Sequence, residues 1–341
     1  MKELNYNYVY FNTNYLPDYQ RGIIDPEEYN AICMRDVTGM DGVKVVPSQL
    51  YHTTPFIRRL QLKYERWSKK YKFPFKTLWY RYFFKDDFKN NKPYCFVIAT
   101  RVMPYDYMVW LKKHYPNCRV VRVYRDLVKK DVFNPDFTEE NMRKICDMRF
   151  SYDRGDCKKY GLTYFHEIDS KIGVPKAPNY PLCDVFFCGA AKDRLKKLIK
   201  AYDIFTAAGL KCNFYIVSAD EKEKEERDGI TYSDDYMPYK EVLYNSTNAR
   251  CMFDINQGGA DGFTTRFLEA VMYNKRFITD NLSVKESPFY KPEFIDLIKS
   301  VDDINPKFIQ EGEVDYHYNG EFSPIHLIEQ IDNALTAKYL K

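Results

Sequence analysis

Apolar positions along the chain fall into two alternating kinds of segment. Short runs of consecutive apolar residues predict buried strands, and runs with an apolar residue every three or four positions predict helices. The clearest helix is predicted over Asp193–Ala208, where Leu195, Leu198 and Ile199 share one stripe and Gly209 ends the pattern. Strands that alternate with helices in this way predict the α/β class with parallel sheets.

The pattern predicts nine strands and eight helices, whose bounds follow the apolar runs. The predicted strands are Tyr6–Phe11, Val43–Val46, Cys95–Ala99, Arg119–Val123, Thr163–Phe165, Val185–Cys188, Cys212–Val217, Arg250–Ile255 and Arg276–Thr279. The predicted helices are Pro55–Tyr71, Pro104–Tyr115, Asn141–Cys146 (as part of a helix), Asp153–Tyr160, Asp193–Ala208, Tyr239–Tyr244, Thr265–Tyr273 and Ile325–Lys338.

The polar stretch Ser170–Pro181 contains three prolines and interrupts the alternation, so we predict that it links two domains. The length of 341 residues, about twice that of a typical domain, agrees with two. We predict a first domain over residues 1–175, a second over 182–323, and a separate last helix within 324–341.

Composition and charge exclude several classes of protein. Lys+Arg 52 against Asp+Glu 48 leaves a net charge of +4, too small and too mixed for a nucleic-acid platform. No run of about 18 apolar residues could span a bilayer, and the first residues lack the apolar core of a signal peptide. The nine cysteines are scattered and never spaced Cys-x-x-Cys, which indicates reduced thiols. We therefore expect a cytoplasmic protein.

Motifs for the common cofactors and metals are missing from the sequence. It contains no Walker loop, no dinucleotide glycine fingerprint, no nucleophile elbow and no zincin helix. The five histidines have no metal-ligand spacing, and no Asp-x-Asp triplet occurs. We therefore predict neither a cofactor nor a metal site.

One segment between a predicted strand and a predicted helix has the composition of a ligand site. It runs Gly258-Gly259-Ala260-Asp261-Gly262-Phe263-Thr264-Thr265-Arg266-Phe267-Leu268-Glu269. Glycines allow a ligand to approach the backbone, and the N-terminus of the following helix attracts an anion. Ligands of open parallel sheets bind beyond the carboxyl ends of the strands. Glu269, one turn into the helix, can accept hydrogen bonds from two ribose hydroxyls.

This segment resembles the donor-site motif of GT-B-fold glycosyltransferases. Asp261, seven further residues and then Glu269, followed by Ala270-Val271, match its acid-x7-Glu-Ala pattern. The Thr-x-Arg-x-x-Glu form is similar to bacterial transferases of lipopolysaccharide and capsule biosynthesis. The segments Cys146–Asp153, Lys158–Leu162 and Phe186–Leu195 also resemble that group. The chain departs from the pattern at Asp261, where many relatives have Glu, and at Asn274-Lys275-Arg276, where they have Gly-Lys-Pro.

The resemblance implies two Rossmann-like domains that face a cleft, with the last helix crossing back to the first domain. It also implies metal-independent transfer of a hexose-like sugar from a nucleotide-sugar donor to a cell-surface glycan or lipid-linked acceptor. The spacing of the two acids in the family favours retention of configuration. The implied donor-binding residues are Gly189, Lys192, Arg194, Gly262, Phe263, Thr264, Thr265, Arg266 and Glu269.

The family pattern gives individual roles to some of these residues. Lys192 or Arg194, and Arg266, would contact the diphosphate, whose negative charge needs cations and helix N-termini when no metal is present. Glu269 would bind the ribose and Asp261 the donor sugar. Structural alternatives stay open for each. Lys192 and Arg194 could be solvated at the start of a lysine-rich helix, Arg266 could form a core-edge ion pair, Glu269 could favour the helix dipole and Asp261 could shape a turn.

The acceptor side is less defined by the sequence. A catalytic base, if inversion requires one, would come from the first domain. The candidate bases are Asp106, His114, Asp126 and Asp153. We assign Asp106, together with Asp261 and Arg266, to the catalytic residues. Asp126 beside Arg125 could equally form a salt bridge at a strand end, and Asp153 could cap a helix.

The segment Phe56–Tyr71 is basic with apolar anchors, so it could dock on an anionic membrane, or it could be a solvated helix packed on the first sheet. Two other functions remain open at this stage. One is a GT-B-fold sugar-nucleotide epimerase, and the other is a catalytically silent module that binds a glycan or a nucleotide.

Overall fold

The computed structural model describes residues 3–12, 28–47, 76–100, 103–130, 138–256, 261–310 and 312–340, and the helical positions 56, 59, 60, 63, 64 and 67. The strands of the described residues are β1 Asn7–Asn12, β2 Val43–Pro47, β3 Tyr94–Ile98, β4 Arg119–Tyr124, β5 Met148–Ser151, β6 Thr163–Tyr164, β7 Cys183–Ala190, β8 Cys212–Val217, β9 Ile230–Ser233, β10 Ala249–Asp254, β11 Arg276–Thr279 and β12 Ile295–Leu297. The α-helices are α1 Tyr29–Cys33, α2 Tyr105–His114, α3 Glu139–Ile145, α4 Arg154–Tyr160, α5 Leu195–Ala207, α6 Tyr239–Thr247, α7 Thr265–Met272 and α8 Pro324–Tyr339.

The chain divides into two compact units. The first unit contains the described residues up to Ile168, except Glu28 and Tyr29, and the C-terminal segment from Ser323 onward. The second contains Asp169–Phe322 together with Tyr29.

The first unit is built on a six-stranded sheet of order β2-β1-β3-β4-β5-β6, in which every neighbouring pair is parallel. Its central strands are buried along almost their whole length, because helices cover both faces of a parallel sheet. Helix α8 belongs to this unit, where its buried Asp332 accepts hydrogen bonds from the backbone N–H of Asn5 at 2.9 Å and from the hydroxyl of Tyr8 at 3.0 Å.

The second unit contains a parallel six-stranded sheet of order β12-β11-β10-β7-β8-β9. Counted within the unit, this is the doubly wound order 3-2-1-4-5-6, and the direction of winding reverses between β7 and β10. Helix α5 covers one face of the sheet with Leu198, Ile199 and Phe205, and α7 covers the other with Leu268 among its buried residues. The sheet therefore has a topological switch point at the carboxyl ends of β7 and β10.

The predicted α/β class is confirmed, and so are most predicted elements. The strands Cys212–Val217 and Arg276–Thr279 have the predicted bounds, and others differ by one or two residues at an end. Gly209 follows α5 with a φ of 81°, so the predicted helix stop is confirmed. The predicted helix Pro55–Tyr71 lies largely outside the described residues.

Four elements were missed, namely α1, β5, β9 and β12. The strands among them have only three or four residues each, and β9 and β12 are edge strands that are partly exposed. Such short strands carry too few apolar positions for a periodic signal, and their pairing with a neighbouring strand determines their conformation.

The segment Ser170–Pro181, predicted as a linker, belongs to the second unit and is hydrogen-bonded to it. The backbone N–H of Ile172 donates to the hydroxyl of Tyr273 at 3.2 Å, and that of Ala177 donates to Asn248 Oδ1 at 2.6 Å. The segment is therefore irregular but attached to the residues that end α6 and α7. No helix of the described residues is long and apolar enough to cross a membrane.

Candidate functional site

The candidate site lies at the switch point of the second sheet, where α7 begins. Thr264 caps α7 by accepting a hydrogen bond from the backbone N–H of Phe267 at 3.3 Å. The turn before α7 is fixed by two residues that follow β11. Asn281 Nδ2 and Ser283 Oγ donate hydrogen bonds to the carbonyl of Gly262 at 2.8 and 3.3 Å. Phe263 is buried against Phe267. The start of α7 is therefore fixed in place. Residues 258–260 of the predicted glycine-rich turn lie outside the described residues.

An ion pair joins the first and second turns of α7, and its carboxylate is buried. Arg266 Nη1 donates to Glu269 Oε2 at 2.5 Å, and the hydroxyl of Tyr239 on α6 donates to Glu269 Oε1 at 3.0 Å. Glu269 is fully buried, whereas the side chain of Arg266 is 17% exposed. The structure thus brings together the two residues predicted for ribose and diphosphate, and Arg266 is the member of the pair that reaches solvent.

Burial raises the pKa of Glu269 to about 7, against the opposing effects of the Arg266 cation and the Tyr239 hydroxyl. Tyr239 also approaches Asp169 Oδ2 at 2.9 Å. A phenol has a single proton to donate, so the carboxyl groups of Asp169 and Glu269 compete for it. This competition agrees with the raised pKa of Glu269, because the carboxylate that lacks the phenol's proton is less stabilised.

Tyr29 completes the cluster from α1. Its hydroxyl lies 3.2 Å from Thr265 Oγ1, and its ring packs edge-on against Tyr239 with centroids 4.9 Å apart. Sequence reasoning missed Tyr29, Asp169 and Tyr239. These residues lie far from α7 along the chain and in segments without any motif, so the sequence held no signal that could have found them.

Arg194 has a different set of partners from the predicted diphosphate contact. Its Nη1 pairs with Asp254 Oδ1 at 3.1 Å, at the carboxyl end of β10, and also contacts the carbonyl of Ile255, while Nε donates to the carbonyl of Ala190 at 3.2 Å. The side chain is 8% exposed. Arg194 therefore balances Asp254, a carboxyl group whose pKa burial raises. The pair links the ends of β7 and β10.

Gly189 serves this same ion pair. A Cβ at this position would lie 2.9 Å from Arg194 Nη2 and 3.3 Å from the ring of Phe187. The absence of a side chain at Gly189 thus makes room for the guanidinium. Lys192, which follows β7 directly, is exposed and has a positive φ of 46°, and it is the cation of this turn that faces solvent. Asp261 is also exposed, at the entrance to α7.

The four candidate bases lie in the first unit and have varied surroundings. Asp153 caps α4 by accepting from the backbone N–H of Asp156 at 2.7 Å, as the alternative interpretation expected. Asp126 accepts from the N–H of Leu127 at 2.8 Å. Its neighbour Arg125 pairs with Glu167 at 2.6 Å.

Asp106 and His114 occupy the two ends of α2. Asp106 is exposed in the first turn and accepts a hydrogen bond from the hydroxyl of Tyr80. His114 stacks on Trp110, with ring centroids 4.1 Å apart, and its Nδ1 lies 2.9 Å from the carbonyl of Trp110.

The first unit contains a small pocket at the carboxyl ends of β4, β5 and β6. Its polar lining comes from Arg125, Ser151, Tyr152, His166 and Glu167. His166 Nδ1 lies 2.8 Å from the carbonyl of Glu167, and burial lowers the pKa of the ring, which favours the neutral imidazole. His166 was not among the predicted bases, because no motif surrounds it in the sequence. Within the described residues, no group of three or more His, Cys, Asp and Glu side chains could hold a metal ion.

Comparison with solved structures identifies the fold. The chain is similar to a protein from Listeria monocytogenes provisionally named a UDP-N-acetylglucosamine 2-epimerase, with 9% identity and a TM-score of 0.50 over 98% of this chain and 97% of the other. This chain itself has two parallel six-stranded, Rossmann-like sheets. The fold is GT-B.

Two other GT-B structures resemble the chain less closely in geometry. An α-glucosyltransferase determined with UDP-glucose and DNA containing an abasic site has 11% identity and a TM-score of 0.48 over 96% of this chain and 91% of its own. The glycosyltransferase of kitacinnamycin has 10% identity and a TM-score of 0.45 over 97% and 99%. No protein-family model matches the chain, and no curated protein sequence does. At these identities the likeness concerns the fold.

Proposed function

We propose that the protein is a glycosyltransferase that uses a nucleotide-sugar donor bound at the start of α7. The observation that carries this proposal is the Arg266–Glu269 pair, which joins the first two turns of a helix at the switch point of the second sheet, with Glu269 buried and Arg266 partly exposed. Switch points are where doubly wound sheets bind nucleotides. A carboxylate beside a cation and a helix N-terminus suits a ligand that presents both hydroxyls and an anion.

In the proposed complex, Glu269 accepts hydrogen bonds from the ribose hydroxyls. Both oxygens of Glu269 already accept a hydrogen bond, but a carboxylate offers about four acceptor sites. The ribose hydroxyls can therefore also bind Glu269 if a path to the carboxylate opens. We propose that Arg266 opens this path by turning from Glu269 toward the diphosphate, a movement that its partial exposure allows. Tyr239 would then keep Glu269 in position.

The leaving diphosphate would be stabilised by Arg266, Lys192 and the backbone N–H groups at the start of α7. The backbone of Gly262 and Phe263 and the hydroxyls of Thr264 and Thr265 would line this site, and Asp261 would face the donor sugar. We propose that these groups suffice without a divalent ion, so that transfer needs no metal. We assign Arg194 and Gly189 to positioning, since they hold the ends of β7 and β10.

We further propose that the acceptor is a cell-surface glycan or a lipid-linked saccharide bound by the first unit, and that transfer of a hexose retains the anomeric configuration. The support is the family motif around Asp261 and Glu269. With retention, the departing phosphate can take the acceptor's proton, and Asp106 would then assist binding. Inversion would instead require a base, for which Asp106 and His166 are the groups to test.

Calorimetric titration with UDP, GDP, CMP and dTDP tests the donor site. The unmodified protein should bind one of these nucleotides, and Glu269→Gln should lose about tenfold or more in affinity, because an amide replaces a charged acceptor. Glu241→Gln is the matched control, since Glu241 is an exposed glutamate in the first turn of α6. Equal affinities for Glu269→Gln and the control would contradict the assignment.

An epimerase is the second candidate, favoured by the name of the Listeria monocytogenes protein with the same fold. An epimerase converts a sugar nucleotide without any acceptor, so incubation with donors alone, followed by chromatography of the sugar nucleotides, separates the two functions. A changed sugar nucleotide in the absence of acceptor would replace the transferase proposal. Tight nucleotide binding without conversion or transfer would indicate a silent binding module.

A further inference from the structure

Exposed apolar side chains concentrate in one short stretch of the first unit. Phe56, Leu60, Trp67 and Leu78 are 69%, 43%, 55% and 60% exposed. Large apolar side chains that are exposed singly are ordinary, whereas a contiguous exposed apolar patch marks an interaction surface. None of these side chains belongs to the proposed nucleotide site, whose residues lie in the second unit.

The helical positions of this stretch share one face. The described helical residues are Phe56, Arg59, Leu60, Lys63, Tyr64 and Trp67. With about 100° of rotation per residue, steps of three, four, seven, eight and eleven positions from Phe56 all return to the same side of a helix. Phe56, Leu60 and Trp67 form the centre of this face, Arg59 and Lys63 lie on one flank, and Tyr64 lies on the other.

The face is anchored to the rest of the first unit through Tyr64. The ring of Tyr64 is half-buried and lies 5.8 Å from that of Trp79, in the 3-10 helix Lys76–Tyr82. The same short helix presents the exposed Leu78 and Arg81. Phe56, Leu60 and Trp67, at the centre of the face, are exposed beside this contact.

The charge of the segment is strongly positive. Arg59 and Lys63 are exposed on the face itself, and in the sequence Glu65 is the single acid between Phe56 and Lys76, against many lysines and arginines. Aromatic and aliphatic side chains flanked by cations are the composition of helices that lie in the interface of an anionic bilayer. Nucleic acid would use the cations but gives no reason to expose Phe56 and Leu60.

We propose that the surface formed by Phe56, Arg59, Leu60, Lys63, Trp67 and Leu78, the apolar–basic face, docks the protein on an anionic lipid bilayer. The apolar side chains enter the boundary between headgroups and acyl chains, and the cations bind the headgroups. The proposal does not depend on glycosyl transfer, because it concerns a separate surface.

Trp67 reports the docking directly. It is the exposed tryptophan, whereas Trp79 and Trp110 are half-buried within the first unit. The full chain is mixed with vesicles of phosphatidylcholine and phosphatidylglycerol, and tryptophan emission is followed with and without brominated lipid. A blue shift and quenching by bromine are expected. Trp67→Phe should lose both signals and still co-sediment with the vesicles, since Phe keeps an apolar side chain at that position.

Two further variants separate the apolar and the charged contributions. Phe56→Ser combined with Leu60→Ser should weaken vesicle binding by about tenfold or more, and Arg59→Glu combined with Lys63→Glu should weaken it by at least about fivefold for each cation lost. Tyr236→Ser with Leu282→Ser is the control, because these exposed side chains lie in the second unit. Nucleotide affinity should stay unchanged in all of these variants.

Several results would overturn the proposal. The unmodified protein could fail to co-sediment with anionic vesicles, or it could bind equally well to vesicles of phosphatidylcholine alone. The variant with Phe56→Ser and Leu60→Ser, the serine pair, could also bind as well as the control. Concentration-dependent self-association that the serine pair abolishes, without any vesicle binding, would assign the face to a second copy of the chain and would also refute docking on lipid.

Discussion

The buried Glu269 makes the stability of the protein depend on pH. Its pKa rises from the ordinary value of 4.5 to about 7 on folding, chiefly because burial disfavours the carboxylate. Between these two values the folded chain holds a proton that the unfolded chain releases, so stability falls as the pH rises. A shift of roughly 2.5 pKa units corresponds to about 3 kcal/mol.

We therefore expect the free energy of unfolding to lose about 3 kcal/mol through Glu269 between about pH 4.5 and pH 7, with no further loss above that range. Glu269→Gln removes the titrating group and keeps an amide oxygen that can accept from Arg266 or Tyr239. The difference in unfolding free energy between the variant and the unmodified protein should thus change by about 3 kcal/mol across the same range, in favour of the variant at the higher pH.

Urea unfolding followed by far-ultraviolet circular dichroism at a series of pH values measures this difference. The exposed Glu241→Gln variant should follow the unmodified protein at every pH. A difference for Glu269→Gln that is the same at all pH values would show that Glu269 does not titrate in this range. The reasoning about burial and the shared Tyr239 proton would then be wrong.

Three further substitutions test other parts of the structure. Burial lowers the pKa of Lys275 to about 7, so the unmodified protein should gain stability as the pH rises from about 7 to 10.5. Lys275→Met should lack this gain, which urea titrations at pH 7 and pH 10 measure. Gly189→Ala should lower the melting temperature by an amount equivalent to about 1–3 kcal/mol, because its Cβ would displace the guanidinium of Arg194, whereas Gly173→Ala, with open space around its Cβ, should not. Tyr239→Phe should cost about 1–3 kcal/mol, since it removes the hydroxyl shared by two buried carboxyl groups; thermal unfolding at pH 8 measures the loss.

The central strands of both sheets could be predicted from the sequence because they are buried on both faces. Cys95–Ile98 and Arg276–Thr279 contain the buried runs that a parallel sheet requires. The strand Ile230–Ser233 could not be predicted, since it lies at a sheet edge, is only partly buried and gains its conformation from pairing with β8.

The candidate site could be predicted in part, because Arg266 and Glu269 are one helical turn apart and pair locally. The partner of Arg194 could not be predicted, since Asp254 is 60 residues distant along the chain and only the parallel pairing of β7 with β10 brings the two together. The same holds for Tyr239 and Asp169, which reach Glu269 through the packing of α6 and the path of the chain after Ile168.

The most direct test of the donor site is a crystal structure of the protein with a bound nucleoside diphosphate that calorimetry has shown to bind. We expect the ribose hydroxyls within hydrogen-bond distance of Glu269, the diphosphate at the backbone N–H groups that begin α7, and the guanidinium of Arg266 turned toward the phosphates. A nucleotide bound elsewhere, with Arg266 still paired to Glu269, would contradict the account.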